Sequence, residues 1–335
     1  MKRLVVHPRV DAPRQARIEA AAAGRLEVCF ASTPAEAQSA MPQARAFFGK
    51  LTPELLAAAP ALEWVQAPTA SLEHYLFPAL VTHACQLTNM RGIYSDVIAE
   101  HVLAMMLCLA RQLHVYVRQQ SAREWAPVGG EESRSTFEGG PGTISAMDRG
   151  HDHLAGKRLL IVGLGGIGRA VAQLAAALGM RIAAVDPASD VCPTGIEAVH
   201  PPADLPTCLA TCDWLVIAAP HTPATERLLD AAMLAHLPAV ARLVNVGRGA
   251  IVDLDALAEA LAAGRLAGAA LDVFEVEPLP ADHLLWKLEN VVLTPHVAGC
   301  APPIAERHLS VLLENIDRFA RGAPLRNRVD KQLWY

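Results

Sequence analysis

Three polar residues of this 335-residue sequence stand where a parallel β-sheet gathers its ligands: Arg248, Glu277 and His296 each follow an apolar run of strand length. An arginine offers a planar pair of N–H donors to a carboxylate, and a histidine exchanges a proton near neutral pH. A carboxylate beside that histidine favours its charged form. The set suits hydride transfer to a 2-oxo acid, with Arg248 binding the carboxylate, His296 protonating the carbonyl oxygen and Glu277 orienting and charging His296.

The segment 158–186, RLLIVGLGGIGRAVAQLAAALGMRIAAVD, predicts the βαβ unit that would place a cofactor near those residues. After an apolar strand, the glycines stand in G-x-G-x-x-G spacing, which allows a tight turn, a close approach of the backbone to a pyrophosphate, and packing of helix on strand. The N–H groups that begin the next helix favour an anion there. The residues predicted to bind the cofactor in this motif are Gly163, Gly165, Gly166, Ile167 and Gly168.

The second half of the same unit predicts which dinucleotide is bound. Its helix carries an apolar face of Val171, Leu174, Ala175 and Leu178 and ends at Gly179. The second strand ends in Asp186, where a carboxylate accepts hydrogen bonds from the adenosine ribose hydroxyls. That carboxylate would repel a 2′-phosphate, and residues 187–189 supply no arginine to receive one. The sequence therefore predicts NAD rather than NADP as the cofactor.

Each chemically interesting residue also has an ordinary structural explanation. An arginine between glycines can cap a turn, a glutamate before a proline can lie in a solvated loop, and a histidine after a proline can be a plain loop residue. The joint placement of Arg248, Glu277 and His296 behind a dinucleotide motif favours the catalytic interpretation. Other histidines, namely His151, His153 and His283, lie in polar segments and are expected to face solvent.

Length and composition limit the class of protein. A chain of 335 residues with 52% hydrophobic and 19% charged residues predicts two folded domains and no disorder. A net charge of −5, with lysine and arginine spread along the chain, argues against nucleic acid. The seven scattered cysteines favour a reducing, cytoplasmic setting. Cys208 and Cys212 are expected to pack in a core rather than bind a metal, and no metal site is predicted.

Two apolar segments are too short for membrane or export functions. The N-terminal run Leu4–Val6 does not make a signal-peptide core, so no secretion is expected. The run Val97–Ala110 is interrupted by Glu100 and His101 and is too short to span a bilayer. A buried helix and no membrane contact are therefore expected.

The first 90 residues alternate short apolar strands with helices and predict a second α/β unit. Thr33 and Glu36 have the spacing of a capping box, and Pro53 follows Thr52 at another helix start. The loop 67–71 follows the carboxyl end of a strand and is a candidate substrate contact, although a plain connecting loop explains it equally well. The predicted strands are Leu4–Val6, Leu26–Phe30, Ala46–Phe48, Leu62–Gln66 and Gln86–Thr88.

The remaining pattern predicts an α/β fold of two doubly wound parallel-sheet domains. One long helix over Asp96–Gln120 is expected to bridge the domains, and 126–153 is expected to be a long polar loop. The helix Ala305–Arg321 is expected to rejoin the first domain, so the domains would be 1–95 with 300–335, and 96–299. The later strands are predicted at Trp214–Ala219, Ala241–Val246, Ala267–Val273 and Val291–Thr294, with helices at Thr225–His236 and Asp253–Ala262.

Four segments, in this order, resemble the D-isomer-specific 2-hydroxyacid dehydrogenases: IVGLGGIGRAVA, LVNVGRGAIVD, LAGAALDVFEVEPLP and LWKLENVVLTPHVAG. The resemblance extends to NMRGIYSDVIAEHVLAMML, where an interdomain helix is expected. It implies a flavodoxin-like substrate domain with an inserted Rossmann NAD-binding domain, an active site in the cleft between them, and a homodimer built through the NAD-binding domains. It assigns substrate binding to Arg248, the carboxylate partner to Glu277 and proton donation to His296.

The resemblance also assigns residues around the cofactor and substrate. Asp272 would contact the nicotinamide carboxamide, and Thr222, Val246 and Gly247 would line the cofactor site. The substrate carboxylate would meet the loop Thr69, Ala70 and Ser71. The sequence departs from the family in three places: Ser71 replaces a common glycine, two prolines follow Ala301 where a helix usually starts with Ser or Thr, and the insertion 126–153 is unusually long. We hypothesise that this insertion packs against the partner subunit.

These features predict an NAD-dependent oxidoreductase that interconverts a small 2-oxo acid and its D-2-hydroxy acid, with glyoxylate or hydroxypyruvate as the first expectation. A phosphoglycerate-type dehydrogenase is an alternative, although many such relatives carry an extra regulatory domain. Formate oxidation is disfavoured because it pairs the histidine with an amide, whereas Glu277 is acidic. A cofactor-sensing binding protein, like the corepressors that share this fold, is the alternative from another class.

Overall fold

The computed structural model describes residues 1–131, 142–188 and 192–335. The chain divides into two units, one made of Met1–Tyr94 with Ala301–Tyr335 and the other of Ser95–Cys300. The second unit is therefore inserted into the first along the chain. Each unit is built on one parallel sheet, as the sequence predicts.

The first unit contains a five-stranded parallel sheet in the order β2-β1-β3-β4-β5. This is the flavodoxin-like strand order. Its strands are β1 Lys2–Val6, β2 Leu26–Phe30, β3 Ala44–Phe48, β4 Trp64–Gln66 and β5 Gln86–Thr88. Its first helices are α1 Ala12–Ala22, α2 Pro34–Ala40, α3 Pro53–Ala57 and α4 Pro78–Thr82.

The predicted helix starts in this unit are confirmed, with one change in detail. The Thr33 hydroxyl accepts a hydrogen bond from the Glu36 N–H, and the Thr52 hydroxyl caps α3 in the same way. The Glu36 carboxylate, however, accepts from the N–H of Ser32 at 2.7 Å. The return bond of the capping box therefore reaches one residue further back than Thr33.

The second unit contains a seven-stranded parallel sheet in the order β8-β7-β6-β9-β10-β11-β12. Counted from β6, this extends the doubly wound order of dinucleotide-binding folds. Its strands are β6 Arg158–Val162, β7 Arg181–Val185, β8 Ala198–His200, β9 Trp214–Ile217, β10 Arg242–Asn245, β11 Gly268–Leu271 and β12 Val291–Leu293. Its helices are α5 Ser95–Ala110, α6 Leu113–Ala122, α7 Ala146–Gly150, α8 Gly166–Ala177, α9 Leu205–Leu209, α10 Ala231–Leu234 and α11 Leu254–Ala262.

The last helix, α12 Pro303–Arg321, belongs to the first unit. It begins at a proline, which suits the first helical position because the missing N–H has no helical partner there. The helix therefore tolerates Pro302 and Pro303, the two prolines that stand where the family usually starts this helix with Ser or Thr.

Buried strands explain why the second sheet could be predicted. Leu159 and Ile161 of β6 pack in one hydrophobic core, and Leu160 and Val162 pack in the core on the opposite face. Since successive side chains of a strand point to opposite faces, a strand covered on both faces must be apolar throughout. This is the continuous apolar pattern seen in the sequence.

The expected single helix over Asp96–Gln120 is wrong, because α5 and α6 are separate and bent by 69°. Gln112 adopts a left-handed φ of 57°, and its side chain donates to the carbonyl of Gly150. The Asp152 N–H donates to the Ala110 carbonyl, which a continuing helix would have used. Tertiary hydrogen bonds from the segment 150–152 therefore end α5.

No single helix among the described residues is long and apolar enough to cross a membrane, and the bent pair of α5 and α6 passes that test on length and composition alone. Most of the apolar side chains of α5 are buried. The helix packs against α8 within the second unit.

The predicted helix Thr225–His236 is reduced to α10. Arg227 has a left-handed φ of 48°, and its N–H donates to the carbonyl of Ala250. The Leu229 N–H donates to the Ile251 carbonyl, so this stretch bridges to the segment after β10 instead of coiling. The strand β8 and the helix α9 were not predicted, because short, mixed segments carry little periodicity.

The insertion 126–153 is not a loop throughout, since it contains α7. The Ser145 and Asp148 side chains form a reciprocal capping box at its start. Tyr116 of α6 stacks on His151 and bonds its Nε2 at 2.6 Å. His151 is therefore half-buried and partnered rather than solvent-facing. Residues 132–141 of the insertion, and its proposed packing on a partner subunit, lie outside what the structure describes.

Two further expectations about side-chain placement are corrected. Leu174 and Leu178 of α8 are exposed. The buried stripe of that helix runs through Gly168, Val171, Ala172 and Ala175, so it is centred away from both leucines. His283 is largely buried, and its Nδ1 accepts from the Leu285 N–H. His153 is exposed, as expected.

Candidate active site

The candidate site residues of the second unit share one edge of its sheet. Parallel strands bring their carboxyl ends together, so each residue lies close to the end of a different strand. Asp186 follows β7, the glycine motif follows β6, Thr222 follows β9, Val246, Gly247 and Arg248 follow β10, Asp272 and Glu277 follow β11, and His296 follows β12. The sheet thus orders them along one line, from the ribose-binding candidate at one end to the proton-donor candidate at the other.

The glycine motif has the backbone shape that a dinucleotide needs. Gly163 has a φ of 93°, and a Cβ placed there would lie 2.6 Å from the Cα of Ala219. A Cβ on Gly168 would overlap the carbonyl oxygen of Gly163. By contrast, none of the described residues lies within 4 Å of the position that a Cβ of Gly165 would occupy. Two glycines are therefore required by packing inside the protein, whereas Gly165 borders open space.

That open space lies at the N-terminus of α8. Gly165 is the N-cap residue, and a glycine has no side chain with which to cap the first turn of the helix. The first N–H groups of a helix have no partner within the helix, and the helix dipole favours negative charge there. The residues present therefore fit a pyrophosphate, with Gly166, Ile167 and Gly168 in the first turn to hold it.

Asp186 is already tied to the glycine motif. Its Oδ2 accepts a hydrogen bond from the Leu164 N–H at 2.7 Å, and its Oδ1 accepts from the Ala188 N–H at 2.9 Å. The carboxylate is thus held beside the turn that would carry the pyrophosphate. Ser189, the last of the three residues that supply no arginine after Asp186, lies outside the described residues.

The loop that carries Arg248 is shaped by the residues around it. A Cβ on Gly249 would overlap the backbone of Phe274, and one on Gly247 would lie 2.7 Å from the Ala219 carbonyl oxygen. Asn245 is fully buried; its side chain accepts from the Gly247 N–H and donates to the Arg248 carbonyl, each at 3.0 Å. The glycines bring the loop against its neighbours, and Asn245 closes the turn.

His296 and Glu277 are the predicted pair that the structure joins directly. Nδ1 of His296 lies 2.7 Å from Oε2 of Glu277, and Oε1 of the same carboxylate accepts from the Phe274 N–H at 3.0 Å. Because a carboxylate only accepts, Nδ1 carries a proton. Nε2 has no hydrogen-bond partner within the described part of the chain. Nε2 is therefore the ring atom that remains to exchange a proton with a substrate.

Asp272 holds the loop in which His296 lies. His296 has a left-handed φ of 54°, a conformation that costs a residue with a side chain about 1–2 kcal/mol. Its N–H donates to the Asp272 carbonyl at 2.8 Å. The Asp272 carboxylate accepts from the N–H groups of Val297 and Ala298, both at 2.9 Å. The strained backbone persists because three consecutive amides are fixed on one residue.

Thr222 is buried within its own turn. Its N–H donates to the Thr225 hydroxyl, and that hydroxyl donates to the Pro220 carbonyl. Its hydroxyl lies 3.3 Å from that of Thr225. The turn after β9 is therefore closed on itself, and contact between Thr222 and a cofactor stays a prediction.

The candidate substrate loop of the first unit is held by its carbonyl groups. The Pro68 carbonyl accepts a hydrogen bond from the ring of His308, and the Thr69 carbonyl accepts one from the Met90 N–H. The Ala70 carbonyl accepts from the Asn89 side chain, and the Ser71 carbonyl accepts from the Thr69 hydroxyl. Four consecutive carbonyls are thus satisfied inside this unit. These hydrogen bonds hold the backbone of the loop, which lowers the cost of ordering it around a ligand.

Sequence reasoning did not find the side chains that support these loops. Asn245, Asn89 and His308 were missed, and Thr294 was seen only as the residue before Pro295. Their signal is faint, since a polar residue at a strand end has many ordinary explanations.

In the described parts of the chain, no group of three or more His, Cys, Asp or Glu side chains is placed to hold a metal ion. Burial raises the pKa of the Cys212 thiol to about 12.

The sequence of this chain matches a known family of enzymes. The model of the NAD binding domain of D-isomer specific 2-hydroxyacid dehydrogenases matches residues 103–298. The chain belongs to that family. It is 31% identical over 280 residues to a glyoxylate reductase of Thermofilum pendens, covering 82% of this chain and 76% of that protein. It is also 31% identical over 287 residues to a D-3-phosphoglycerate dehydrogenase of Archaeoglobus fulgidus, covering 84% of this chain but 50% of that protein.

A solved structure of the D-2-hydroxyacid dehydrogenase family has the same fold. The enzyme from Xanthobacter autotrophicus Py2, in complex with NADPH and MES, superposes with a TM-score of 0.77 at 30% identity, covering 100% of this chain and 99% of that one. The predicted fold class is therefore confirmed. The family consists of oxidoreductases that act on small 2-oxo and 2-hydroxy acids with an NAD(P)-binding domain.

Proposed function

We propose that this D-2-hydroxyacid dehydrogenase relative reduces a small 2-oxo acid to the D-2-hydroxy acid with NADH, or catalyses the reverse. The observation that carries the proposal is the hydrogen bond of 2.7 Å between Nδ1 of His296 and Glu277, which leaves Nε2 as the exchanging atom. This pair follows the strand ends of the same sheet whose glycine motif fits a pyrophosphate. A proton donor and a hydride carrier on one sheet edge are what reduction of a carbonyl requires.

In the proposed reaction, each of three residues of this unit has its own role. Arg248 binds the carboxylate of the substrate through its planar pair of N–H donors. His296 holds a proton at Nε2 for the carbonyl oxygen, and gives it up as negative charge develops there. Glu277 stabilises the positive charge of the ring and keeps Nδ1 as a donor. When bound, the nicotinamide supplies or accepts the hydride.

We propose NAD(H) as the preferred cofactor on the strength of Asp186. A carboxylate at the end of β7 suits the ribose hydroxyls and repels a 2′-phosphate. The related Xanthobacter enzyme was solved with NADPH, so the competing outcome is use of NADPH. Asp272, Thr222, Val246 and Gly247 remain proposed cofactor contacts.

For the substrate we propose a small 2-oxo acid, with glyoxylate and hydroxypyruvate first. The similarity to a glyoxylate reductase over most of both chains supports this order. A phosphoglycerate-type activity is the second candidate within the family, supported by a relative of which the chain covers half. The loop of Thr69, Ala70 and Ser71 is proposed to bind the substrate carboxylate through its backbone N–H groups, because a carboxylate only accepts hydrogen bonds. The carbonyls of the same residues hold the loop in place.

We also propose that the protein is a homodimer and that it works in a reducing compartment. A second copy of the chain would cover α6, which has no buried residue and exposes Leu113 and Val117. A homodimeric mass in sedimentation equilibrium is the expected result, and a monomeric mass would contradict it. We also propose a reducing, cytoplasmic setting, supported by seven cysteines that are all free thiols in the structure.

The experiment that tests the function is NADH oxidation against a panel of 2-oxo acids: glyoxylate, hydroxypyruvate, pyruvate, phosphohydroxypyruvate and phenylpyruvate. Chiral analysis of the product decides the stereochemistry where the product has a stereocentre. Turnover that yields the D-acid supports the proposal, and the preferred substrate gives the size of the pocket. Measurable NADH binding without turnover of any panel member would instead favour a cofactor-sensing protein.

A further inference from the structure

A histidine of α5 reaches the loop that carries the proposed proton donor. Nε2 of His101 lies 3.1 Å from the hydroxyl oxygen of Thr294, two residues before His296. That hydroxyl lies 2.6 Å from Oδ1 of Asp272. All of these residues belong to the unit Ser95–Cys300. In the sequence, His101 stands out only as a residue that interrupts an apolar run.

The chemistry of the three groups fixes the direction of these hydrogen bonds. The Asp272 carboxylate can only accept, so the single hydroxyl proton of Thr294 points to Asp272. The Thr294 oxygen is then an acceptor toward His101. Nε2 of His101 must therefore carry a proton, and the hydrogen bonds run from His101 through Thr294 to Asp272.

Asp272 needs this support because of where it lies and what it holds. Its side chain is only 2% exposed, and a buried carboxylate is costly unless hydrogen bonds surround it. It accepts from the N–H groups of Val297 and Ala298, and its own carbonyl accepts from the His296 N–H. The carboxylate therefore holds the amides of Val297 and Ala298, directly after His296, while the main chain of Asp272 holds the amide of His296 itself.

His101 is suited to hold that carboxylate in place. It lies on a helix whose other side packs in the core, and its side chain is 23% exposed. Its Nε2 is also 3.8 Å from Oδ1 of Asp272, so a proton on the ring favours the position of the carboxylate as well as that of Thr294. The loop is thereby tied to a rigid helix rather than to another loop.

We propose that His101 is a positioning residue that acts through Thr294 and Asp272 to hold the backbone of His296. The role in catalysis rests on the proposed function, whereas the anchoring of the loop does not. His101 itself does not touch the reacting atoms. Its removal lets the ring of His296 shift, and a displacement of about 1 Å in a catalytic group can cost about 100-fold in rate.

Four single variants separate the hydrogen bonds from simple loss of volume. His101→Leu and Thr294→Val remove the donors, whereas His101→Gln keeps an N–H near the position of Nε2 and Thr294→Ser keeps the hydroxyl. His236→Gln, a change to an exposed histidine of the same unit, is the control. Thermal unfolding of each variant reports whether the fold is intact, and Thr294→Val, which breaks the same series of hydrogen bonds, keeps the test valid if His101→Leu does not fold.

The first readout is amide hydrogen exchange of peptides that contain residues 294–298, followed by mass spectrometry. We expect exchange about tenfold faster in His101→Leu and Thr294→Val, and unchanged exchange in His101→Gln, Thr294→Ser and the control. Equal exchange in His101→Leu and wild type would overturn the anchoring. This readout requires neither cofactor nor substrate.

The second readout is the rate with the best 2-oxo acid. We expect kcat to fall about 10- to 100-fold in His101→Leu with KM little changed, and His101→Gln to recover most of the loss. Because both residues act in one chain of hydrogen bonds, the double variant His101→Leu/Thr294→Val should be no slower than the slower single variant. An unchanged kcat in His101→Leu would overturn the catalytic role. A wild-type protein without turnover overturns the proposed function instead, and hydrogen exchange still decides whether His101 anchors the loop.

Discussion

Nδ1 of His296 lies 2.7 Å from Oε2 of Glu277, while Oε1 of that carboxylate is held at 3.0 Å by the N–H of Phe274. Both oxygens of the carboxylate are therefore engaged in hydrogen bonds within the protein. The ring is held with a proton on Nδ1 and with Nε2 left for exchange. The two residues form one hydrogen-bonded pair, and the first two predictions follow from it.

Removal of the ring should abolish most of the turnover without removing the cofactor. His296→Ala is expected to lower kcat about 10²–10⁴-fold, the usual contribution of general acid–base catalysis. The NADH dissociation constant, measured by fluorescence titration, should stay close to that of the wild type. His153→Ala, in the same unit and exposed, is the matched control. A loss of less than about tenfold would mean that another group donates the proton.

A change of Glu277 should act through the ring of His296. In Glu277→Gln the amide oxygen can still accept from Phe274, but the amide nitrogen then faces Nδ1 and cannot accept its proton. The charged ring loses its partner, and we expect reduction to slow by about 10²-fold. Glu275→Gln, two residues earlier in the same loop, should have little effect. Equal rates for the two variants would contradict the pairing.

The glycine motif offers a prediction that separates folding from cofactor binding. Gly165→Ala places a methyl group in open space, so the free energy of unfolding should change by about 1 kcal/mol or less. The methyl group should still block the close approach of a pyrophosphate and weaken NADH binding about tenfold or more. Gly168→Ala overlaps the Gly163 carbonyl and should destabilise the fold by about 1–3 kcal/mol. Unchanged NADH affinity in Gly165→Ala would place the dinucleotide elsewhere.

The elements that the sequence predicted well are those whose pattern is local and complete. The strand β6 is apolar on both faces, and the glycines that follow it stand in one short, regular spacing, so both leave a clear signal. The helix break at Gln112 left none, because the hydrogen bonds that end α5 come from residues 150–152. Tertiary contacts of this kind override helix propensity.

The candidate site divides in the same way. Arg248, Glu277 and His296 could be placed because each follows a strand end of a parallel sheet, and because the surrounding segments resemble one family. The support around them could not be placed: Asn245 and His101 act through the direction of a side chain, which depends on neighbouring strands and helices. The residues proposed to react were visible in the sequence, whereas the side chains that hold their loops required the structure.

Asp186 should decide the choice between the two dinucleotides. Asp186→Ser removes the negative charge, so NADH should bind about tenfold more weakly and the preference for NADH over NADPH should shrink. Because the carboxylate also accepts from the Leu164 N–H, the urea midpoint of the variant shows whether the glycine turn remains folded. Kinetics with both cofactors give the ratio of kcat/KM. An unchanged ratio would show that Asp186 does not discriminate.

Asp152 offers a prediction about stability and pH. Lys157 and Arg242 each lie 3.0 Å from its carboxylate, which is 23% exposed. Burial by itself would raise the pKa of Asp152, but the hydrogen bonds from Lys157 and from the His153 N–H, together with both positive charges, outweigh it and lower the pKa. The ionised carboxylate is therefore bound more favourably in the folded state than in the unfolded chain.

The sign of the pH dependence follows from that lowered pKa. The stabilisation is fully present above the ordinary carboxyl value of about 4, and it is lost as the pH falls through the lower value of the folded state. Asp152→Asn should therefore cost about 2 kcal/mol in urea unfolding at pH 7, and the difference from wild type should shrink toward pH 3. In Asp255→Asn, which changes an exposed carboxylate, the free energy of unfolding should stay close to that of the wild type at both pH 7 and pH 3. A difference that stays constant between pH 7 and pH 3 would show that the charge of Asp152 is not what stabilises this segment.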